Sequence, residues 1–210
     1  MKSEVFNCDN MELMAKYPDN HFELAIVDPP YTNTFKISAN GKNAKVNKSY
    51  NLEGLNNSTP NDKYWDELLR ISKNQIIWGV NYYSRYFGAG RIVWDKDNTG
   101  VYSDCELAFH SFGNVVRKYK FTWNGMIQGD MKNKEERIHP TQKPVRLYEW
   151  LLANYAKEGD KILDTHLGSG SSRIACYNLG FDFTGCELDK DYFDQADYRY
   201  QEHIKQLTLF

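Results

Sequence analysis

Six residues, Phe22-Glu23-Leu24-Ala25-Ile26-Val27, form a near-continuous apolar run that stops at Asp28-Pro29-Pro30-Tyr31. Such a run predicts a strand buried on both faces, the kind found in parallel sheets covered by helices. Its carboxyl end is where open α/β sheets place their ligand crevice. Four residues of distinct chemistry stand there. The Asp28 carboxylate accepts hydrogen bonds, and so does a proline carbonyl. The Pro29 and Pro30 rings fix φ and bring no competing N–H. Tyr31 offers a flat face for a planar ring. Together they form a grip suited to an exocyclic amine on an aromatic ring. Read alone, the same residues also fit a plain turn that closes a buried strand, with Tyr31 half exposed.

A second feature lies far downstream. Lys161-Ile162-Leu163-Asp164 reads as a short strand, followed by Thr165-His166-Leu167-Gly168-Ser169-Gly170-Ser171-Ser172 and a helical pattern, Arg173 to Leu179, stopped by Gly180. Strand, glycine turn and helix bring backbone close to a nucleotide-like ligand, and Gly168 and Gly170 remove side chains from that approach. The next strand, Asp182 to Glu187, ends in an acid placed to accept two ribose hydroxyls. A dinucleotide fingerprint would need a third glycine where Arg173 stands, which counts against a nicotinamide cofactor. A third segment, His139-Pro140-Thr141-Gln142-Lys143-Pro144, precedes the helical pattern Val145 to Leu152, with Pro144 suited to the first helical turn.

These segments resemble, in this order, the motifs of the circularly permuted β-class of S-adenosylmethionine-dependent DNA amino-methyltransferases. Asp28-Pro29-Pro30-Tyr31 matches the catalytic motif of enzymes that methylate adenine at N6 or cytosine at N4. Leu163-Asp164 with Gly168-Ser169-Gly170 matches the cofactor loop, and His139 to Pro144 the segment that helps hold the cofactor. The chain departs from the family where Asp164-Thr165-His166 replaces Asp-Pro-Phe, which puts packing around the methionine part in doubt. The resemblance implies an α/β, single-domain, Rossmann-like fold over residues 1–210, with a mostly parallel sheet and helices on both faces. It implies Asp28, Pro29, Pro30 and Tyr31 as catalytic residues. Cys8, Asp9, Asp28, His139, Lys143, Asp164, Thr165, Leu167, Gly168, Ser169, Gly170 and Glu187 would bind S-adenosylmethionine, with Lys143 pairing with its methionine carboxylate. Adenine leads over cytosine, because the cytosine group more often has Ser where Asp28 stands. RNA adenine methylation and a non-catalytic DNA-binding subunit are the alternatives.

The formal net charge of −2 excludes a uniformly basic nucleic-acid binder, but charge is segregated. Thr32 to Asn51 contains Lys36, Lys42, Lys45 and Lys48 and no acid, which suits a loop that closes on DNA phosphates or one that is merely solvated. Arg117, Lys118 and Lys120, on a strand-like run near Trp123, are the second candidate DNA contact. Recognition segments are thus expected within 32–60 and 95–137. Between the motifs, a helix is expected from Pro60 to Ser72 with Trp65, Leu68 and Leu69 on one face. Strands are expected at Gln75–Val80, Arg91–Trp94 and from Cys105, in a sheet of about six to eight strands. Asn81 reads as a helix cap, with the cleft as its alternative.

Cys8, Cys105, Cys176 and Cys186 show no C-x-x-C pairing, which predicts reduced thiols and no zinc site. With no signal-like start and no membrane-length apolar run, a cytoplasmic bacterial or phage enzyme is expected. The final residues, Gln206-Leu207-Thr208-Leu209-Phe210, resemble the pentapeptide by which bacterial proteins bind the DNA polymerase sliding clamp. Gln206, Leu207, Leu209 and Phe210 would be its anchors. The other reading is the end of an amphipathic helix carrying Tyr192, Phe193, Ala196 and Tyr200 on one face.

Overall fold

Burial on both faces is what the Phe22–Val27 run achieves. The computed structural model describes residues 1–31, 59–98, 103–124 and 127–207. Lys36, Lys42, Lys45, Lys48, Leu209, Phe210 and the side chain of Leu207 lie outside the described residues. In chain order the elements are β1 (Ser3–Asn7), α1 (Asn10–Met14), β2 (Phe22–Val27), α2 (Asp62–Ile71), β3 (Ser72–Trp78), β4 (Arg91–Asp95), β5 (Cys105–His110) and β6 (Val116–Lys120). A small hairpin follows, β7 (Trp123–Asn124) and β8 (Ile127–Gln128). Then come α3 (Val145–Tyr155), β9 (Lys161–Asp164), α4 (Ser171–Leu179), β10 (Asp182–Glu187) and α5 (Lys190–Leu207).

Eight strands pair in the order β1-β10-β9-β2-β3-β5-β4-β6, parallel except where β5 runs against β3 and β4. Leu24 and Ile26 of β2, Ile76 of β3 and Ile162 of β9 face α3, α4 and α5. Their neighbours Ala25, Val27, Ile77 and Leu163 face α1 and α2. This alternation inside an apolar run is the period-2 signature of a strand covered twice. Among the described residues no helix is long and apolar enough to cross a membrane.

The topology puts β2 beside β9, with Leu24 opposite Ile162 and Ala25 opposite Leu163. From β2 the chain proceeds through α2 to β3 on one side, and from β9 through α4 to β10 on the other. A point where strand order reverses leaves a crevice outside the carboxyl ends. Asp28 and Asp164 both stand at that edge.

Several local expectations shift. On α2 the buried face carries Tyr64, Trp65, Leu68 and Ile71, while Leu69 is exposed, because at 100° per residue it falls about 110° from the centre of that face, beyond Trp65 at its rim. Strand β3 begins earlier, at Ser72, and ends at Trp78, since Gly79 adopts a left-handed φ of 72° and Val80–Tyr82 forms a 3-10 turn. Asn81 is exposed on that turn, whose N-cap is Gly79, so it neither caps nor faces the cavity. Pro144 occupies the N-cap of α3 rather than its first turn. Helix α4 starts at Ser171, two residues before the expected pattern, because Gly170 in the left-handed region turns the chain directly into it.

Candidate active site

One cavity of about 600 Å³ lies across the β2–β9 edge, within the usual range for small-molecule sites of about 300–1,000 Å³. Asp28 to Tyr31 line one side. Cys8 to Met11, Thr165 to Ser169 and Glu187 to Asp189 line the other, and His139 and Thr141 to Lys143 border it. Segments separated by more than half the chain thus share one space.

On the β2 side, charge is concentrated and buried. Lys143, on the loop before α3, is 4% exposed. Its Nζ contacts Asp28 Oδ2 and lies 3.1 Å from Glu106 Oε2. Glu106 Oε1 in turn meets Lys96 Nζ. Burial raises the Asp28 carboxyl above its ordinary pKa; Lys143 opposes this and Glu106 adds to it. Burial works against the Lys143 ammonium too, but the two carboxylates hold its pKa well above the ordinary value. Asp28 Oδ1 is buried and has no hydrogen-bond partner among the described residues. A buried acceptor left open is costly, on the order of 1–3 kcal/mol, so such atoms often mark sites that bind something.

The neighbouring groups are fixed as well. The Tyr83 hydroxyl donates to the Pro29 carbonyl at 2.7 Å, leaving that oxygen one lone pair. Tyr31 stacks on Tyr82 at 4.1 Å between ring centroids and 5° between planes. Gly79 permits this packing: a Cβ there would stand 2.8 Å from Tyr31 Cδ1.

On the β9 side backbone and neutral groups surround the Glu187 carboxylate. Gly168 and Gly170 have φ of 51° and 72°. The Gly168 N–H donates to Glu187 Oε2 at 2.8 Å, and the Asp189 N–H to Oε1 at 3.0 Å. Burial raises the Glu187 carboxyl, and these backbone donors pull against it. A Cβ on Gly168 would meet nothing nearer than the His139 ring at 3.8 Å, so the loop leaves open space there. Burial lowers His139 to about 4 and His166 to about 3, so both rings are neutral near pH 7. Behind the loop, Arg199 donates to the Ser169 carbonyl at 2.8 Å and pairs with Glu135 at 2.6 Å, pinning it to α5.

The departure at Asp164-Thr165-His166 has a structural counterpart. Asp164 accepts from Ser172 Oγ at 2.6 Å and from the His166 N–H at 3.0 Å. Thr165 Oγ1 lies 2.7 Å from the Tyr64 hydroxyl and 2.9 Å from His166 Nδ1, and His166 Nε2 meets Asn10 Nδ2 at 3.1 Å. A polar chain therefore crosses the cavity wall where the family pattern carries proline and phenylalanine.

Most expected site residues converge: Cys8, Asp9, Asp28, Pro29, Pro30, Tyr31, His139, Lys143, Thr165, Leu167, Gly168, Ser169 and Glu187 all line the cavity. Asp9 does so while its side chain caps α1 through the Met11 N–H at 2.8 Å. Asp164 and Gly170 sit just behind the wall, shaping the loop. Lys143 is placed differently from expectation, since its ammonium is engaged by Asp28 and Glu106 rather than free for a ligand carboxylate. Arg117, Lys118 and Lys120 lie on edge strand β6, four strand positions from β2 and thus roughly 19 Å away. There Lys118 pairs with Asp95 and Lys120 with Asp97. Trp123 is part of the core, and its Nε1 donates to the Gln142 carbonyl at 2.9 Å. Sequence reasoning missed Glu106, Lys96, Tyr83 and Gly79. An acid directly before Leu107-Ala108-Phe109 was the one available signal for Glu106.

Comparison with known proteins fits this geometry. A family model described as DNA methylase matches residues 94–197. The Type II methyltransferase M2.LlaDCHI of Lactococcus lactis subsp. cremoris is 23% identical over 93% of this chain and 88% of its own length. The crystal structure of the M1.HpyAVI–SAM complex superposes with a TM-score of 0.58 at 19% identity, covering 95% of this chain and 100% of that one. The PvuII DNA methyltransferase, cytosine-N4-specific, gives 0.61 at 12% identity, covering 98% and 91%. The two structures establish the shared fold.

Proposed function

This chain belongs to the S-adenosylmethionine-dependent DNA amino-methyltransferases, and we propose that it methylates the N6 amine of an adenine turned out of the duplex. The observation that carries this reading is the Asp28 carboxylate, one buried oxygen of which has no hydrogen-bond partner among the described residues, on the wall of the same cavity as the glycine loop.

The residues present suit the cofactor. Gly168 leaves space beside a neutral His139, and Glu187 closes the end of β10 as an acceptor for ribose hydroxyls. When bound, S-adenosylmethionine supplies a methyl group activated by a sulfonium. Cys8, Asp9, Thr165 to Ser169 and Glu187 hold it. An adenine amine is a weak nucleophile, since its lone pair is shared with the ring. Asp28 Oδ1 and the remaining lone pair of the Pro29 carbonyl accept its two hydrogens. That favours a pyramidal nitrogen with its lone pair turned to the methyl carbon, an orientation effect. Tyr31, backed by Tyr82, stacks against the base. Extruding that base costs a few kcal/mol, offset by this stacking and these hydrogen bonds. A sulfonium held there would give up its methyl carbon to that nitrogen and keep the electron pair of the broken carbon–sulfur bond. The proton lost from nitrogen then passes to solvent.

Cytosine N4 is the second reading, favoured by the fold shared with the cytosine-N4-specific PvuII enzyme. The aspartate at position 28 supports adenine. Incubation with mixed-sequence DNA and labelled cofactor, followed by nucleoside mass spectrometry, decides between them. N6-methyladenine is the expected product. N4-methylcytosine would overturn the adenine assignment, and absence of any methylated base would overturn the activity.

A further inference from the structure

We propose that Glu106 of β5 is a positioning residue for methyl transfer: it holds the Lys143 ammonium on the Oδ2 side of Asp28, so that the buried Oδ1, which has no partner among the described residues, stays unpaired for the substrate amine. The inference rests on the methyl-transfer reading above and assigns a role to a residue outside the motifs and outside the cavity lining.

The geometry is specific. An ammonium has three N–H donors. Those of Lys143 have Asp28 Oδ2, Glu106 Oε2 at 3.1 Å and the face of Trp78, whose centroid lies 5.4 Å from Nζ. Glu106 is itself held from the far side by Lys96, which lies 5.2 Å from the Trp94 ring centroid. Charges thus alternate along Lys96, Glu106, Lys143 and Asp28, and the set is neutral overall. With Asp28 as its sole anion, a lysine on a flexible stem can pivot between both carboxylate oxygens and close Oδ1. A second carboxylate on the opposite side removes that freedom. It also keeps the cation from being spent on Asp28 alone, so Oδ1 retains its strength as an acceptor, a preorganised field of the kind that lowers barriers.

Other titratable groups face Asp28 too: Tyr31 and Tyr83 beside it, Tyr148 from α3 and Asp164 from β9. Burial pushes all three phenols up, so they stay neutral across the working range. Burial raises the Asp164 carboxyl to about 7, and the Asp28 charge adds to it. The pH profile is therefore read together with a titration of the Asp28 carboxyl itself, which reports on the Lys143–Asp28 pair.

The test uses Glu106→Gln in the full chain, assayed for steady-state DNA methylation against pH. Expected is a loss of kcat of about tenfold or more, with KM for DNA and cofactor within about twofold. The acid limb of kcat should move to lower pH, because Lys143 then answers to Asp28 alone and favours its ionised form. Glu106→Asp, which keeps the charge with a shorter reach, should recover part of the loss. If Glu106→Gln does not fold, Glu106→Asp carries the test, with lowered kcat at unchanged KM expected. Native kcat in either variant, or a fallen kcat with the acid limb unmoved in Glu106→Gln, would overturn the proposal. A carbon-13 titration of the Asp28 carboxyl, native against Glu106→Gln, needs no turnover: a lowered midpoint supports the coupling and an equal one refutes it. Absence of methylation by the native enzyme would sink the methyl-transfer reading and an active Asp28→Ala control would sink the role given to Asp28, while this titration still judges the coupling.

Discussion

The two walls of the cavity solve the same problem by opposite means. On the β2 side, side-chain charges buried among tryptophans fix the position of one carboxylate, Asp28. On the β9 side, backbone N–H groups, two left-handed glycines and neutral histidines form the wall with carboxylates, among them Glu187, whose charge backbone donors hold. The difference follows from what each side must do. A group that handles a reacting amine needs a defined field and orientation, which formal charges in a dry site provide. A group that holds a large cofactor needs close approach over many atoms, which only backbone without Cβ allows. Substitutions on the first wall should therefore act on turnover, and those on the second on binding.

Asp28→Ala is the most severe test of that division. Removing the acceptor should lower methyl transfer by about 10²–10³-fold or more. Cofactor affinity should stay within about threefold by calorimetry, because no contact of the glycine wall depends on it. A matching loss of cofactor affinity would erase the distinction between the walls. Gly168→Val should show the reverse. At φ 51° a β-branched residue is strained, and its side chain would fill the space facing His139. Cofactor affinity should fall by roughly 10- to 100-fold while DNA affinity without cofactor is unchanged. Unchanged calorimetric affinity would remove Gly168 from the cofactor wall.

The glycine wall was the more legible of the two in the sequence, for a physical reason. Its parts are contiguous: Leu163 to Gly170 contains the strand end, the turn and the helix start, and backbone geometry follows from local residue type. Strands β2 and β9 were readable as short apolar runs closed by an acid, and β10 as a short segment between Gly180 and Glu187. The adjacency of β2 and β9 is a long-range pairing that periodicity does not encode, and only the order of motifs pointed to it. The charged wall was half legible. Lys143 announced a cation at the site, but neither its burial nor which anion it meets. The choice between a ligand carboxylate and Asp28 with Glu106 depends on how β5 threads antiparallel between β3 and β4. Tyr83 gave no signal at all, since its bond to Pro29 joins a 3-10 turn's exit to a strand end 54 residues earlier.

Tyr83 also gives the finest division between the walls. Its hydroxyl satisfies one lone pair of the Pro29 carbonyl and so fixes that oxygen's direction without touching the cofactor wall. Tyr83→Phe removes the bond and keeps the ring, which packs at 4.9 Å from Trp65. A single neutral hydrogen bond contributes about 0.5–1.5 kcal/mol, so kcat should fall by about two- to tenfold. The carbonyl then has both lone pairs available, and the amine can approach it from more than one direction, which is why the loss should appear in kcat rather than in KM. Thermal unfolding should shift little, since water near the cavity can take the vacated lone pair. A Tyr83→Phe protein with native kcat would mean that Asp28 alone orients the amine and that the Pro29 carbonyl only shapes the turn.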